Sequence, residues 1–220
     1  SPQNLGFAHA NNLAAQQCAS DYLLLLNPDT EIHSDAVDHL IAFARETPLA
    51  GIWGGRTVFA DGTLNIASCW ARPTVTSLLF KAVGLSMAFP HSAVFSPEAY
   101  GGWPRDSVRP IDIVSGCFML VERSLWVRLG GFSENYFMYG EDADLCLRAI
   151  AMGYQPLITP NAQIVHHVGA STAQTEAKAI SVMTSRASLV RDHWPVWQQG
   201  AGVFLMWLWS AMRYLATRPF

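Results

Sequence analysis

The sequence predicts an α/β protein with a mixed sheet. A wholly apolar run, Tyr22-Leu23-Leu24-Leu25-Leu26, stops at once on Asn27-Pro28, as a strand buried on both faces does. Segments with helical spacing of apolar residues flank that run on both sides. Helix-like and strand-like segments then alternate along most of the chain, the pattern of an α/β layer architecture.

The chain has 220 residues, of which 50% are hydrophobic and 14% charged, with a net charge of −3. That length suits one domain, or one domain with an appendage, and allows a sizeable core. Ordinary chains carry about 25% charged residues, so this one is unusually apolar and not intrinsically disordered. With 14 Lys and Arg against 17 Asp and Glu, a basic nucleic-acid surface is not expected. Cys18, Cys69, Cys117 and Cys146 are far apart and form no CxxC pair, which argues against structural zinc or a redox couple. Cys18, Cys117 and Cys146 sit in apolar company and read as buried free thiols, in keeping with a reducing compartment. The first residue is Ser1, and no signal peptide is visible.

The elements follow in order. Residues 8–20 are Ala-rich, lack Gly and Pro, and predict a helix; Tyr22–Leu26 predicts the first strand. Ser34 or Asp35 caps a helix running to about Glu46, with Val37, Leu40, Ile41 and Ala44 at helical spacing. Residues 52–59 read as a strand and Ala60–Thr63 as a turn. Residues 67–110 carry Pro73, Pro90, Pro97, Pro104 and Pro110, and are long enough to read as a functional excursion. Ile111–Val121 is a strand broken at Ser115-Gly116, and Ser124–Leu129 a short helix ended by Gly130-Gly131. Asp142–Met152 is helical, with Ala143, Cys146, Leu147 and Ile150 on one face and Gly153 past its end. Residues 154–158 and 162–168 are two further strand candidates.

The C-terminal part differs. From His193 to Met212 there is no formal charge, residues 203–209 are wholly apolar, and Gln199, Ser210, Arg213 and Thr217 keep a narrow polar stripe. The apolar run is short for a membrane span, which needs about 20 residues. A helix lying in the membrane interface fits, with Trp207, Trp209 and Tyr214 at headgroup level. A core helix or a subunit contact is the alternative.

Four short motifs carry chemical potential. Asn27-Pro28-Asp29-Thr30 follows a strand, where ligands of open α/β sheets bind, and Asp29 there could hold a divalent cation on a diphosphate. A plain turn is the competing reading. Gly140-Glu141-Asp142-Ala143-Asp144 opens a helix after Tyr136-Phe137-Met138-Tyr139; acidic capping and a general base for a hydroxyl nucleophile both explain it. In His166-His167-Val168-Gly169-Ala170-Ser171, strand parity puts Ile164 and His166 on one face and His167 on the other. Either a structural histidine or a metal ligand beside Asp29 results. Asn4-Leu5-Gly6-Phe7, with Asn11-Asn12 after it, could expose backbone N–H groups to phosphate.

Taken in order, Asn4-Leu5-Gly6-Phe7-Ala8, Leu25-Leu26-Asn27-Pro28-Asp29-Thr30, Gly130-Gly131-Phe132, Tyr139-Gly140-Glu141-Asp142-Ala143-Asp144-Leu145 and His166–Ser171 resemble family 2 glycosyltransferases, in particular the bacterial rhamnosyltransferase-like branch. The resemblance covers roughly residues 4–172. It implies a GT-A fold and an inverting, metal-dependent transfer from a nucleoside diphosphate sugar, with Mg2+ or Mn2+ as cofactor. Asp29 matches the last Asp of the family's Asp-x-Asp motif, and Asn27 replaces the first, which implies a looser hold on the metal. Asp142 matches the proposed base, with Glu141 beside it, and His166 the late metal- or phosphate-contacting histidine. Asn4, Gly6, Asn12, Asn27, Asp29 and Gly116 fall where the family approaches its donor.

The family's opening strand, helix and second strand, which bind the nucleotide base, have no counterpart. The expected organisation is therefore an N-terminally truncated GT-A domain over 1–175 and a helical, membrane-associated tail over 176–220. The implied acceptor is a glycan or lipid-linked sugar in cell-surface polysaccharide synthesis, with rhamnose the favoured donor sugar. The implied place is the cytoplasmic face of the bacterial inner membrane, with the C-terminal helix on the membrane surface and Arg213 and Arg218 facing anionic lipid. Rival readings are a nucleotidyltransferase that makes nucleotide sugars, and a non-catalytic fragment or docking module.

Overall fold

The computed structural model describes residues 5–33, 35–167 and 175–217. Asn4, the Ser34 cap, the Val168–Ser171 part of the histidine block and Arg218 lie outside the described residues. The described chain forms a central mixed sheet with helices on both faces, as the alternation predicts.

Helix α1 (Phe7–Gln16) leads to strand β1 (Tyr22–Leu26), then β2 (Thr30–Ile32), helix α2 (Ala36–Glu46) and strand β3 (Ile52–Val58). Short strands β4 (Leu64–Asn65) and β5 (Cys69–Trp70) precede helices α3 (Val75–Ala82) and α4 (Leu85–Ala88). Strands β6 (Arg109–Pro110), β7 (Ile113–Val114) and β8 (Phe118–Glu122) follow, then helices α5 (Arg123–Leu129) and α6 (Glu141–Ala151). Strand β9 (Leu157–His166) and helices α7 (Thr175–His193) and α8 (Val196–Thr217) complete the order.

The main sheet runs β1-β8-β3-β9-β2, with β4 on β3 and β6 on β9, while β5 and β7 form a separate pair. Among the described residues only the β3–β9 pairing is parallel. Strand β8 alternates its residues between two cores. Met119 and Val121 pack with Leu25, Ile52, Leu125 and Leu145 under α5 and α6. Phe118 and Leu120 pack with Leu40, Ala44, Trp53 and Ile164 under α2.

Four expectations need correction. Strand β1 is not buried on both faces: it lies at the end of the main sheet order, so Leu23 and Leu25 are buried while Leu24 is 37% exposed. The two strand candidates at 154–158 and 162–168 are one strand with an irregularity. Partners jump from Gly55–Thr159 to Arg56–Gln163, so Pro160, Asn161 and Ala162 form the extra length. Pro160 has no N–H to contribute to a ladder, and a Cβ on Gly55 would stand 2.2 Å from the Ala162 carbonyl, so glycine makes room for the bulge. Cys18 is exposed, because α1 ends at Gln16; Cys69 is the buried thiol instead, with Cys117 and Cys146.

The fourth correction concerns the C-terminal helices. Leu205 and Met206 of α8 pack on Leu78 and Ala82 of α3 and Val190 of α7, which makes these helices part of the body. Trp209 is half-buried and lies beneath the cations of Lys81, Arg186 and Arg213 at 5.6, 5.7 and 5.7 Å. Lys81 and Arg186 also pair with the buried Glu98, which joins α3 to α7. The opposite face of α8 exposes Trp197, Val203, Phe204, Trp207, Tyr214 and Leu215. No described helix is long and apolar enough to cross a membrane.

Candidate active site

The chain leaves β1 through Asn27, Pro28 and Asp29 and enters β2 with Thr30 opposite His166. The His167 N–H donates to the Asp29 carbonyl at 2.9 Å, fixing this turn against the end of β9. Asp29 Oδ1 then lies 3.3 Å from His166 Nε2, with both side chains largely buried. His166 Nδ1 is buried and has no hydrogen-bond partner among the described residues. Strand alternation sends His167 the other way, to exposed Glu31 at 2.9 Å.

A second turn approaches from the sheet interior. The Asn27 N–H donates to the Cys117 carbonyl at 3.1 Å, placing the Asp29 turn beside Ser115–Cys117. In that turn the Gly116 N–H donates to Asp142 Oδ2 at 3.0 Å, and the Ala143 N–H donates to Asp142 Oδ1 at 2.8 Å. Asp142 opens α6, where the helix N-terminus favours its charge. It is deeply set, yet part of its surface remains open to solvent.

Burial pushes the Asp142 carboxyl above its ordinary range, while the N–H groups of Gly116 and Ala143 pull it back. Neighbouring Glu141 is pushed up to about 8, by burial first and then by the Asp142 charge. Its Oε2 is buried with no hydrogen-bond partner among the described residues, the surroundings of a carboxyl that keeps its proton at neutral pH. The Cys117 thiol is pushed up to about 11, by burial first, with the charges of Asp142 and Asp29 adding to it. Cys117 therefore stands within electrostatic reach of both carboxylates. The sequence marks it as a buried thiol and says nothing of this position.

Gly6, with φ 75°, brings the start of α1 against Phe137: a Cβ there would stand 2.7 Å from the Phe137 carbonyl. The Phe7 N–H donates to that carbonyl at 3.2 Å. At Gly116 a Cβ would meet the Phe7 ring at 3.5 Å and Asp142 Cβ at 3.7 Å. Gly6, Phe7, Phe137, Gly116 and Asp142 thus form one wall.

Asn12, expected near the donor, holds a neighbouring turn. Its Nδ2 donates to the Phe132 carbonyl and its Oδ1 accepts the Phe132 N–H, each at 2.9 Å. A side chain used at both ends is a clamp on the Gly130-Gly131-Phe132 turn. Arg148 holds the same turn, donating to the carbonyls of Leu129 and Gly131 at 2.7 and 2.9 Å. A recess of about 860 Å³ opens elsewhere, lined by Tyr22, Arg45, Trp53 and Arg123 beside β1, and touches none of the site residues. Chemistry rather than volume locates the site.

Among the described residues, no three His, Cys, Asp or Glu side chains gather as a complete cation cage. Asp29 and His166 nevertheless fit a divalent cation of the kind that takes one or two protein ligands and completes its shell with substrate phosphates and water. They offer a carboxylate oxygen and an imidazole nitrogen side by side at a strand end.

A mixed sheet flanked by helices thus carries a carboxylate and a histidine at its strand ends and a further carboxylate in the first turn of α6. The fold aligns with the mannosyltransferase PcManGT from Pyrobaculum calidifontis, solved with GDP-Man and Mn2+, at a TM-score of 0.52 and 18% identity over 98% of this chain and 56% of that one. The model of glycosyl transferase family 2 matches residues 1–101 of this chain. It is 28% identical over 169 residues to the N-acetylglucosaminyl-diphospho-decaprenol L-rhamnosyltransferase of Mycobacterium tuberculosis, covering 76% of this chain and 54% of that protein. It is 29% identical over 173 residues to the rhamnosyltransferase WbbL of Escherichia coli, covering 74% and 61%. The chain spans little more than half the length of these curated relatives.

Proposed function

We propose that the chain serves an inverting transfer of rhamnose from a nucleoside diphosphate sugar to a glycan or lipid-linked acceptor, in bacterial cell-surface polysaccharide synthesis. The observation that carries this reading is the placing of Asp142 and Asp29 on either side of the Gly116–Cys117 turn. One carboxylate serves the attacking end of the reaction and the other the leaving end.

The acceptor hydroxyl oxygen attacks the anomeric carbon as the bond from that carbon to the diphosphate oxygen breaks. The hydroxyl proton passes to the Asp142 carboxylate, whose two oxygens are already aimed by Gly116 and Ala143. Burial and the closeness of the two carboxyls disfavour a second charge beside Asp142 at the acceptor side. Attack opposite the leaving group inverts the anomeric centre and needs no covalent sugar–enzyme intermediate. Asp29 and His166 would hold a divalent cation, Mg2+ or Mn2+, which when bound offsets the charge of the leaving diphosphate. Gly6, Asn27 and Gly116 keep the wall near the donor free of side-chain bulk or turn it tightly; Asn12 contributes through the turn that it clamps.

The exposed apolar face of α8 supports a peripheral seat on the cytoplasmic face of the membrane, near a lipid-linked acceptor. The test is release of dTDP from dTDP-rhamnose by the protein in the presence of N-acetylglucosaminyl-diphospho-decaprenol. Release that EDTA abolishes and Mn2+ or Mg2+ restores is expected. Formation of dTDP-rhamnose and pyrophosphate from dTTP and rhamnose 1-phosphate with no dTDP release in the transfer assay, or transfer indifferent to chelation, contradicts the reading.

A further inference from the structure

Helix α7 lies outside every motif that suggests chemistry, yet one of its faces is devoted to the segment around Asp142. Ser185, Leu189, Asp192 and His193 recur at i, i+4, i+7 and i+8, a single helical stripe. Ser185 Oγ donates to the Met138 carbonyl at 3.2 Å. Leu189 is buried with Ile113, Tyr136, Ala143 and Leu147. The Tyr136 hydroxyl donates to Asp192 Oδ2 at 2.8 Å. His193 Nε2 lies 2.9 Å from Asp144 Oδ1, and Arg148 Nε donates to Asp144 Oδ2 at 2.8 Å.

These contacts bracket residues 136–144 and leave Asp142 itself untouched. The bracketed turn needs holding. Tyr139 has φ 69° and Gly140 φ 88°, two left-handed residues in succession immediately before Glu141. A non-glycine residue in that region costs energy and persists only where its surroundings enforce it. Here α7 is the enforcing neighbour: a Cβ on Gly140 would stand 3.1 Å from Ser185 Cβ. The ammonium of Lys178 lies 5.8 Å from the centre of the Tyr139 ring.

We propose that this stripe of α7 is a positioning surface for the base Asp142, with His193 acting through Asp144 as its principal residue. The role rests on the reading of Asp142 as base. His193 and Arg148 grip the two oxygens of Asp144, two residues beyond Asp142, so the first turn of α6 is fixed from the C-terminal side. Tyr136–Asp192 and Ser185–Met138 fix it from the N-terminal side. The Gly116–Asp142 hydrogen bond is the element that this frame aligns.

The experiment measures amide hydrogen exchange and turnover in the intact protein carrying His193→Ala or His193→Gln. In His193→Ala, exchange at Gly116 and over 142–145 becomes about tenfold faster, while the β3 amides of Trp53 and Gly54 keep their protection. The kcat for dTDP release from dTDP-rhamnose falls about 10- to 100-fold with KM for dTDP-rhamnose unchanged. His193→Gln, whose amide nitrogen can take the place of Nε2, recovers both. Tyr136→Phe, which removes the Asp192 bond alone, makes the same exchange prediction if His193→Ala does not fold. Unchanged exchange at Gly116, equal loss of protection in β3, or identical behaviour of the Ala and Gln variants overturns the proposal. If the wild-type protein releases no dTDP, the functional reading fails, and the exchange pattern still decides whether α7 positions Asp142.

Discussion

The backbone N–H of Gly116 donates to Oδ2 of Asp142 over 3.0 Å, so the turn between β7 and β8 holds the carboxylate that opens α6. A residue at the strand ends and a residue in the first turn of α6 are thereby set in one frame. Asp142 is held in place by the fold alone, and under the proposed function that removes the need to order it when substrate arrives.

The two glycines of this wall differ in what they tolerate. Gly6 has φ 75° and ψ 167° and no room for a Cβ, so Gly6→Ala loses about 1–3 kcal/mol of stability. At Gly116 the added methyl meets its neighbours at ordinary contact distance, so Gly116→Ala keeps its urea midpoint. Urea denaturation of the two variants checks the contrast; equal midpoints contradict it.

Asn12→Ala leaves the N–H and carbonyl of Phe132 without their side-chain partners. A loss of about 1–3 kcal/mol is expected in denaturant unfolding. Because Asn12 acts as a clamp, the KM for donor sugar stays within about twofold, well under the cost of a lost charged hydrogen bond. A large rise in KM with unchanged stability would return Asn12 to the donor.

Glu141 gives the fold a pH dependence with a definite sign. Its carboxyl is raised from 4.5 to about 8, so between those values the folded chain keeps a proton that the unfolded chain releases. The stability it contributes is complete below 4.5 and is lost as pH rises through about 8. Unfolding free energy measured from pH 5 to 9 should decline over that window, and Glu141→Gln should flatten the decline. A variant with the wild-type slope would remove Glu141 as its source.

The outer face of α8 predicts a surface interaction. Phe204→Glu with Trp207→Glu puts charge at two exposed apolar positions and leaves the Leu205–Met206 contact with α3 intact. Wild-type protein should co-sediment with vesicles of phosphatidylglycerol and phosphatidylethanolamine, and the double variant should not. Equal sedimentation of both contradicts a membrane seat on this face.

Much of the frame is legible in the sequence because it rests on local signals. The Tyr22–Leu26 run, the Gly130 stop after α5 and the helix opened by Glu141 each announce themselves within a few residues. The exposure of Leu24 is not legible, since a position at the sheet end depends on which strands lie beside β1. The bulge in β9 shows in the sequence only as a gap around Pro160, because its cause, the close approach of Gly55, lies about a hundred residues away in the chain.

The candidate site divides in the same way. Asp29, Asp142 and His166 stand out through their neighbours in the sequence. The position of Cys117 near both carboxylates, the Asn12 clamp and the grip of His193 on Asp144 come only from folding. The stripe Ser185, Leu189, Asp192 and His193 is a readable pattern. It is hidden because polar residues at helical spacing look like a solvated face until a partner is seen.

The central claim is that Asp142 takes the acceptor's proton, and Asp142→Asn tests it most directly. The substitution keeps the shape of the side chain and an oxygen for the Gly116 N–H, removes the basic carboxylate and sets an NH2 against the Ala143 N–H. In the intact protein, kcat for sugar transfer should fall about 10²- to 10⁴-fold, with KM for the nucleotide sugar retained. Transfer at the wild-type rate by Asp142→Asn would contradict the account.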